Sequence, residues 1–212
     1  MAETLNFQSP VGRMVSGSFN ELQTKDHQGK DLPAEKHKHF VGIAFRKTAA
    51  NWWDEPGELG AMFRNWLTAA QSHYRNGEWQ QPGFAWKINN GDDPKHAGKA
   101  GYAGHWVVSF TRSASIGEIP LIEQGNPPRY MLDRKAAKRG YYYAISGGVV
   151  ANQCTGNQAG VYVNINAAML VGYGEEIISG PSPVATTVMP ASRWRRSPGR
   201  STSSARTGRR SR

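Results

Sequence analysis

Cysteine, acidic residues near the C-terminus and long hydrophobic runs are scarce or missing in this chain of 212 residues. The single cysteine, Cys154, can form neither an internal disulfide nor a multi-cysteine zinc site. No apolar run approaches the ~18 residues that a membrane span needs. The N-terminus lacks the basic start and apolar stretch of a signal peptide. We therefore expect a soluble protein of the reducing cytoplasm, with no membrane partner.

Motifs of the common catalytic sites are also missing. The sequence has no GxxxxGK phosphate loop, no HExxH and no GxSxG. His37 and His39 flank Lys38 at strand spacing and can share a metal, but exposed histidines in a basic stretch explain the pattern better. Asp92 and Asp93 lie in a turn-like segment, which explains them better than a divalent cation does. We expect no enzyme activity, no metal and no cofactor.

The net charge of +10 comes mostly from one end of the chain. Positions Arg193 to Arg212 hold eight arginines and no acid, whereas the rest has 18 basic and 16 acidic residues, a net of +2. A binding site outside the tail must therefore depend on local arrangement rather than bulk charge. The composition after residue 180 is rich in Pro and Ser, then in Arg and Ser. We expect one domain over 1–180 and a disordered linker and tail over 181–212.

Hydrophobic periodicity predicts five main strands and one substantial helix. Apolar and polar residues alternate within 11–19, 39–47, 105–112, 141–152 and 160–174. A helix opens at Pro56 and ends near Gly77, and its aromatic stripe is assigned to the core. These elements fit a mainly β fold, a five-stranded OB-fold-like Greek-key barrel with one main α-helix.

Three smaller features complete the predicted layout. Residues 84–88 can form a short strand, and 131–140 resembles a short basic helix that ends at Gly140. The pair Gly147 and Gly148 predicts a bulge or sharp bend in the fourth main strand.

The third main strand, HWVVSFTR, has two unequal faces. Trp106, Phe110 and Arg112 share one face, and Val108 lies between them. The other face carries His105, Val107, Ser109 and Thr111. The first face can be a core edge with a snorkelling arginine, or a platform on which flat, negatively charged groups lie. The valines leave that choice open.

Aromatic and basic residues stand side by side at several further places in the chain. Unpaired bases stack on aromatic rings at ~1–3 kcal/mol per base while cations track the phosphates, so this pairing favours single-stranded nucleic acid. A duplex hides those base faces. For any single ring, core packing is the simpler explanation, and the basic run at 131–140 can be a solvated helix. The candidate binding residues are Trp106, Phe110, Arg112, Arg46, Lys47, Tyr142, Trp86, Lys87, Lys138 and Arg139.

Several segments resemble a family of OB-fold single-stranded DNA-binding proteins of tailed bacteriophages. The segments are GRMVSGSF, KHFVGIAFRK, AGYAGHWVVSFTRSAS, YYYAISGGVVAN and NINAAMLVGYGEEIISG, which together span most of 11–180. The resemblance implies binding of single-stranded DNA without strong sequence preference, protection of strands during phage replication or recombination, and no catalysis. By position it favours Trp106, Phe110 and Arg112, together with Arg46, Lys47 and Tyr142. Phage replication or recombination proteins are the implied protein partners.

The C-terminus departs from that resemblance. Such proteins commonly end in a flexible acidic tail that recruits partners, whereas this chain has no acid after Glu176. The tail can add nonspecific phosphate contacts, or it is an atypical end. Two other functions stay open: a phage structural or assembly protein whose basic tail contacts nucleic acid, and an enzyme that uses Asp92, Asp93 or the histidines with a metal. The sequence does not predict the oligomeric state.

Overall fold

The fold is described from a computed structural model, which covers residues 3–26 and 28–178. The predicted tail and the predicted boundary at residue 180 lie outside these residues. The strands are β1 Leu5–Gln8, β2 Gly12–Gln23, β3 Lys38–Arg46, β4 Ile88–Asn90, β5 His105–Ser113, β6 Leu121–Glu123, β7 Arg129–Tyr130, β8 Tyr142–Ala151 and β9 Val161–Gly172. The α-helix, α1, is Gly57–His73.

Five of the strands close into a barrel, which confirms the predicted mainly β, OB-fold-like architecture. β2 pairs with β3 and β3 with β5, in both cases antiparallel. β5 pairs with β9 in parallel at Thr111 and Asn164, β9 pairs antiparallel with β8, and β8 returns to β2. The smaller strands extend this sheet, because β1 pairs with β8, β4 with β5, and β6 with β9 and β7.

Alternation along the strands sends one side chain in two into the barrel. On β3 the inward residues are Val41, Ile43 and Phe45, all at most 2% exposed. Their neighbours Val108 and Phe110 on β5 are fully buried. Burying each such side chain stabilises the fold by about 1.5–3 kcal/mol. The main core therefore lies inside the barrel. On the outer face Ala44 and Val107 are buried in a small second cluster with Val15, whereas Phe40, Ser109 and Thr111 stay partly exposed.

Helix α1 packs its apolar stripe onto this core, as its periodicity predicts. Met62, Phe63, Trp66 and Ala70 are buried. Trp66 meets Phe7 of β1 edge to face, with ring centroids 5.3 Å apart. The aromatic stripe of the helix is therefore core, as assigned from the sequence. No helix in 3–26 or 28–178 has the length and apolar character needed to cross a membrane.

Two short elements differ from their sequence predictions. The small strand occupies Ile88–Asn90 and not 84–88, because Lys87 has a φ of +62° and interrupts the extended backbone within that segment. The segment 131–140 contains a single three-residue 3-10 turn, Arg134–Ala136, in place of a helix. The bulge predicted at Gly147 is confirmed, since the register of β8 against β9 shifts between Ser146 and Gly147.

Gly17 lies between two register irregularities of β2, at a point where a side chain has no room. Its φ is +77°, and a Cβ atom there would collide with the carbonyl of Phe40. We expect Gly17→Ala to lower the unfolding midpoint because it adds both backbone strain and this clash. Gly98→Ala is the matched control, since Gly98 has φ +78° and open space around it. Equal thermal melting of the two variants would show that the clash contributes nothing.

Candidate nucleic-acid interface

The ring of Trp106 lies inside the barrel wall rather than on its surface. The residue is only 4% exposed, and its indole Nε1 donates a hydrogen bond of 2.6 Å to Oε1 of Glu55. The ammonium of Lys47 sits 4.9 Å from the ring centroid. Phe110, on the same face of β5, is fully buried beside Trp66 and Phe7. The prediction that these two rings stack on bases is corrected, because neither offers an accessible face.

Glu55 is the reason that the Trp106 indole turns inward. Its carboxylate is 1% exposed and accepts hydrogen bonds from the amides of Thr48 and Ala49, the Thr48 hydroxyl and the indole. Burial alone would raise the pKa of Glu55, but these hydrogen bonds outweigh it and lower the pKa below its usual value. The carboxylate thus ties the 48–55 loop to β5.

The guanidinium of Arg112 is occupied within the fold. It donates to three carbonyls, those of Gly117 at 3.0 Å, Ile165 at 3.0 Å and Ile116 at 3.3 Å. These bonds fix the turn after β5 against β9. Arg112 therefore has a structural role, which corrects the prediction that its guanidinium is free to contact phosphate.

The opposite, outward face of β3, β5 and β9 forms an open groove of about 760 Å³, which we call the outer groove. Pairing places Lys38 beside Ser113 and Phe40 beside Thr111, and Thr111 beside Asn164 of β9. The short hydroxyl side chains of β5 leave a low floor between taller residues. The lining residues are Gln23, Leu32, Glu35, Lys36, His37, Lys38, Phe40, Lys87, Ser109, Thr111, Ser113, Tyr162 and Asn164.

Two aromatic rings flank this floor. Phe40 of β3 is half-buried on one side, and Tyr162 of β9 is 48% exposed on the other. Both are outward residues of strands whose inward residues fill the core. A ring with an open face next to a low floor is suited to stacking with a planar group.

The charge of the outer groove is mainly positive. Lys36, Lys38 and Lys87 line it, against the single acid Glu35. Lys87 has a φ of +62°, a left-handed conformation that costs a non-glycine residue of order 1–3 kcal/mol. Burial lowers the pKa of Lys87, and the like charge of Lys38 lowers it further. The groove is thus suited to an anion.

A second depression, which we call the side cleft, continues from the outer groove along β2. Phe40 and Gln23 line both, and the side cleft then passes Gly17 and Arg139. Its far end, of about 460 Å³, is lined by three basic residues, Lys135, Lys138 and Arg139, and by two acids, Glu21 and Glu176. Lys138 is paired with Glu176 at 2.8 Å, which raises the pKa of Lys138. The predicted residues Lys138 and Arg139 therefore lie on one path with Lys87.

The remaining predicted residues lie elsewhere. Arg46 is exposed at the end of β3, and Tyr142, 39% exposed, starts β8. Lys47 donates to Asn90 at 3.1 Å and to Asp92 at 3.0 Å. Trp86 is half-buried, with its ring 4.8 Å from that of Trp52. None of these four residues lines the outer groove or the side cleft.

Of the residues that line the outer groove, sequence reasoning named Lys87 and missed the others. Alternation assigned Phe40, Ser109, Thr111 and Tyr162 to their correct faces, but the face of β5 richer in aromatics resembled a binding platform more closely. The usable signal was a lone ring on an otherwise small or polar face, at Phe40 and again at Tyr162. In the described part of the chain, no three His, Cys, Asp or Glu side chains are grouped to hold a metal ion.

Neither a protein-family model nor a curated protein sequence matches the chain. Solved structures do. The C-terminally truncated single-stranded DNA-binding protein of bacteriophage Enc34 matches with a TM-score of 0.58 and 12% identity, over 81% of this chain and 88% of that one.

Two further matches have the same character. The Enc34 protein in complex with ssDNA gives a TM-score of 0.55 at 12% identity, over 82% of this chain and 89% of that one. The single-stranded DNA-binding protein gp2.5 of bacteriophage T7 gives 0.52 at 13% identity, over 85% and 92%. Identities this low compare folds and not functions. The resemblance predicted from the sequence is confirmed at this level, and the chain has the fold of bacteriophage single-stranded DNA-binding proteins.

Proposed function

We propose that this protein binds single-stranded DNA in the outer groove. The observation that carries the proposal is the pair of accessible rings, Phe40 and Tyr162, on either side of a floor lined by hydroxyl groups. Lys38 and Lys87 line the same groove. Bases of a single strand can stack on the rings while the ammonium groups neutralise phosphates. The complex of the Enc34 protein with ssDNA, which has the same fold, supports this choice of ligand.

The arrangement favours binding without strong sequence preference. Stacking accepts any base, because every base has a flat face, and a lysine neutralises any phosphate. The side cleft extends the cationic path past Arg139 toward Lys135 and Lys138. We place the protein on exposed single strands in the host bacterial cytoplasm during phage replication or recombination, where it protects them. In this proposal it acts by binding alone and catalyses no reaction, and its protein partners are replication or recombination proteins of the phage.

The test is a titration of a fluorescently labelled dT oligonucleotide, followed by anisotropy at two or more salt concentrations. We expect tight binding that weakens with salt, with a log–log slope of about 0.7 for each phosphate contacted. The same oligonucleotide in a duplex should bind much more weakly to a chain ending at Gly180, because pairing hides the base faces.

Truncation separates the barrel from the arginine-rich tail. A chain ending at Gly180 lacks eight arginines, so its salt slope should be smaller, but its preference for single strands should persist. If the truncated chain loses all affinity for dT, the binding site is not in the barrel. The alternative, a structural or assembly protein whose tail contacts nucleic acid, would then be preferred.

A further inference from the structure

Lys87 is held at a fixed point of the outer groove by the backbone around it. Its carbonyl accepts a hydrogen bond of 2.8 Å from the amide of Ser109. Trp86, the preceding residue, packs its ring on Trp52 and on Phe84. Lys87 itself adopts φ +62°, which a glycine would adopt with less strain. Strained backbone that the surrounding structure maintains is a feature of ligand sites. The lysine side chain is the only part of this residue that a glycine could not supply.

The side chain of Lys87 shares the outer groove with a second cation, Lys38. Lys38 acts on it as a like charge, and both residues line the same cavity. Among the described residues, neither lysine forms an ion pair with a carboxylate. The other ionisable groups of the lining are Glu35, Lys36 and His37, all from the segment before β3. A ring nitrogen of His37 lies 2.9 Å from the carbonyl of Leu32, so this ring is held within its own loop.

Two like charges beside each other repel, and an anion between them removes the repulsion. A phosphodiester oxygen is such an anion, and a hydroxyl of the groove floor can donate to it as well. We propose that Lys38 and Lys87 together bind one and the same phosphate of the DNA strand, which makes them a single subsite. This subsite rests on the proposed function, and it fixes where the backbone of the strand lies while bases reach Phe40 and Tyr162.

The number of phosphates bound by two lysines can be read from the salt dependence of affinity. We would titrate the full chain with a labelled dT oligonucleotide and compare Lys38→Gln, Lys87→Gln and the double variant with the unaltered protein. In each single variant the other lysine keeps the phosphate, so affinity should drop several-fold with little change of slope. The double variant should lose about 0.7 from the slope, the share of one phosphate contact.

Two variants serve as controls. Lys95→Gln removes the same charge from an exposed lysine that is paired with Asp93 and does not line the groove. Lys87→Arg keeps a cation at the site and should bind within about twofold of the unaltered protein. Thermal melting of every variant checks that the fold is intact, since both groove lysines are only partly exposed.

The possible outcomes separate the subsite from the function. A loss of about 0.7 in each single variant and about 1.4 in the double variant would mean two separate phosphates, and would overturn the shared subsite. If Lys38→Gln, Lys87→Gln and the double variant bind dT with the same affinity as the control Lys95→Gln, neither lysine belongs to the binding site. The proposed function would still stand. If the unaltered protein binds no dT at all, the function falls, and the subsite falls with it.

Discussion

Alanine in place of Phe40 or Tyr162 is expected to weaken binding of oligo-dT by roughly five- to a hundred-fold for each ring. The estimate follows from ~1–3 kcal/mol for one base stacked on one aromatic ring, at about 1.4 kcal/mol for each factor of ten. Both rings stand on the outward faces of their strands, so removing them leaves the core intact. Anisotropy titrations at one fixed salt concentration measure the loss.

Conservative variants identify stacking as the cause. Tyr162→Phe keeps the ring and should retain affinity, whereas Phe40→Leu keeps apolar bulk without a π face and should lose most of it. Tyr130→Ala is the matched control, because Tyr130 is 72% exposed on β7 and does not line the outer groove. The salt slope should stay the same in all these variants, since no phosphate contact is removed. Unchanged affinity after loss of both rings would rule out the outer groove as the stacking site.

Loss of the buried carboxylate of Glu55 should destabilise the protein by roughly 3 kcal/mol or more. In Glu55→Ala, four donors lose their acceptor, and a buried donor without a partner costs about 1–3 kcal/mol. Urea unfolding, followed by circular dichroism, gives the free energy. Glu58→Gln is the control, because Glu58 is exposed in the first turn of α1 and should change the stability by less than about 0.5 kcal/mol.

The same carboxylate makes stability depend on pH in a defined direction. Because the folded-state pKa of Glu55 lies below its usual 4.5, its contribution is present above that pH and is lost as the pH falls through the folded-state pKa. Glu55→Gln removes this titration, so its unfolding free energy should fall less between pH 5 and pH 3. An identical decline in both proteins would assign the acid sensitivity to other groups. The neighbouring Trp106→Phe should destabilise less, because it removes one donor rather than the acceptor.

Much of the barrel could be predicted because alternation is a local property of the sequence. The five main strands, the core stripe of α1 and the irregularity at Gly147 all follow from residues within a few positions of each other. The tight packing at Gly147, where a Cβ would collide with the carbonyl of Asn164, depends on the β8–β9 pairing but is consistent with the glycine found there.

Residues close to β5 in the sequence do not show which of its two faces points into the barrel. On β5 the two faces differ in size and polarity, and both a core and a binding platform use large rings. The inward position of the Trp106 ring is stabilised by Glu55, which lies 51 positions earlier in the chain and accepts the indole hydrogen bond. Arg112 is similarly fixed by the carbonyl of Ile165, 53 positions away. Partners at such separations follow from the fold and not from spacing, so the sequence placed the candidate rings on the face of β5 that the structure buries.

The parallel pairing of β5 with β9 has a mechanical consequence for a DNA-bound state. The other pairings among the five barrel strands are antiparallel. The parallel pairing of Thr111 with Asn164 is the contact that closes the barrel between β5 and β9. The outer groove lies directly over this closure, with Phe40 on one side of it and Tyr162 on the other. A DNA strand stacked on both rings would span the β5–β9 pairing from outside. A ligand that binds only the closed barrel raises the free energy needed to open this pairing. In DNA-bound protein the β5–β9 pairing should therefore open less often. Hydrogen exchange of the backbone amides near Thr111 and Asn164 should become slower as a larger fraction of the protein has DNA bound.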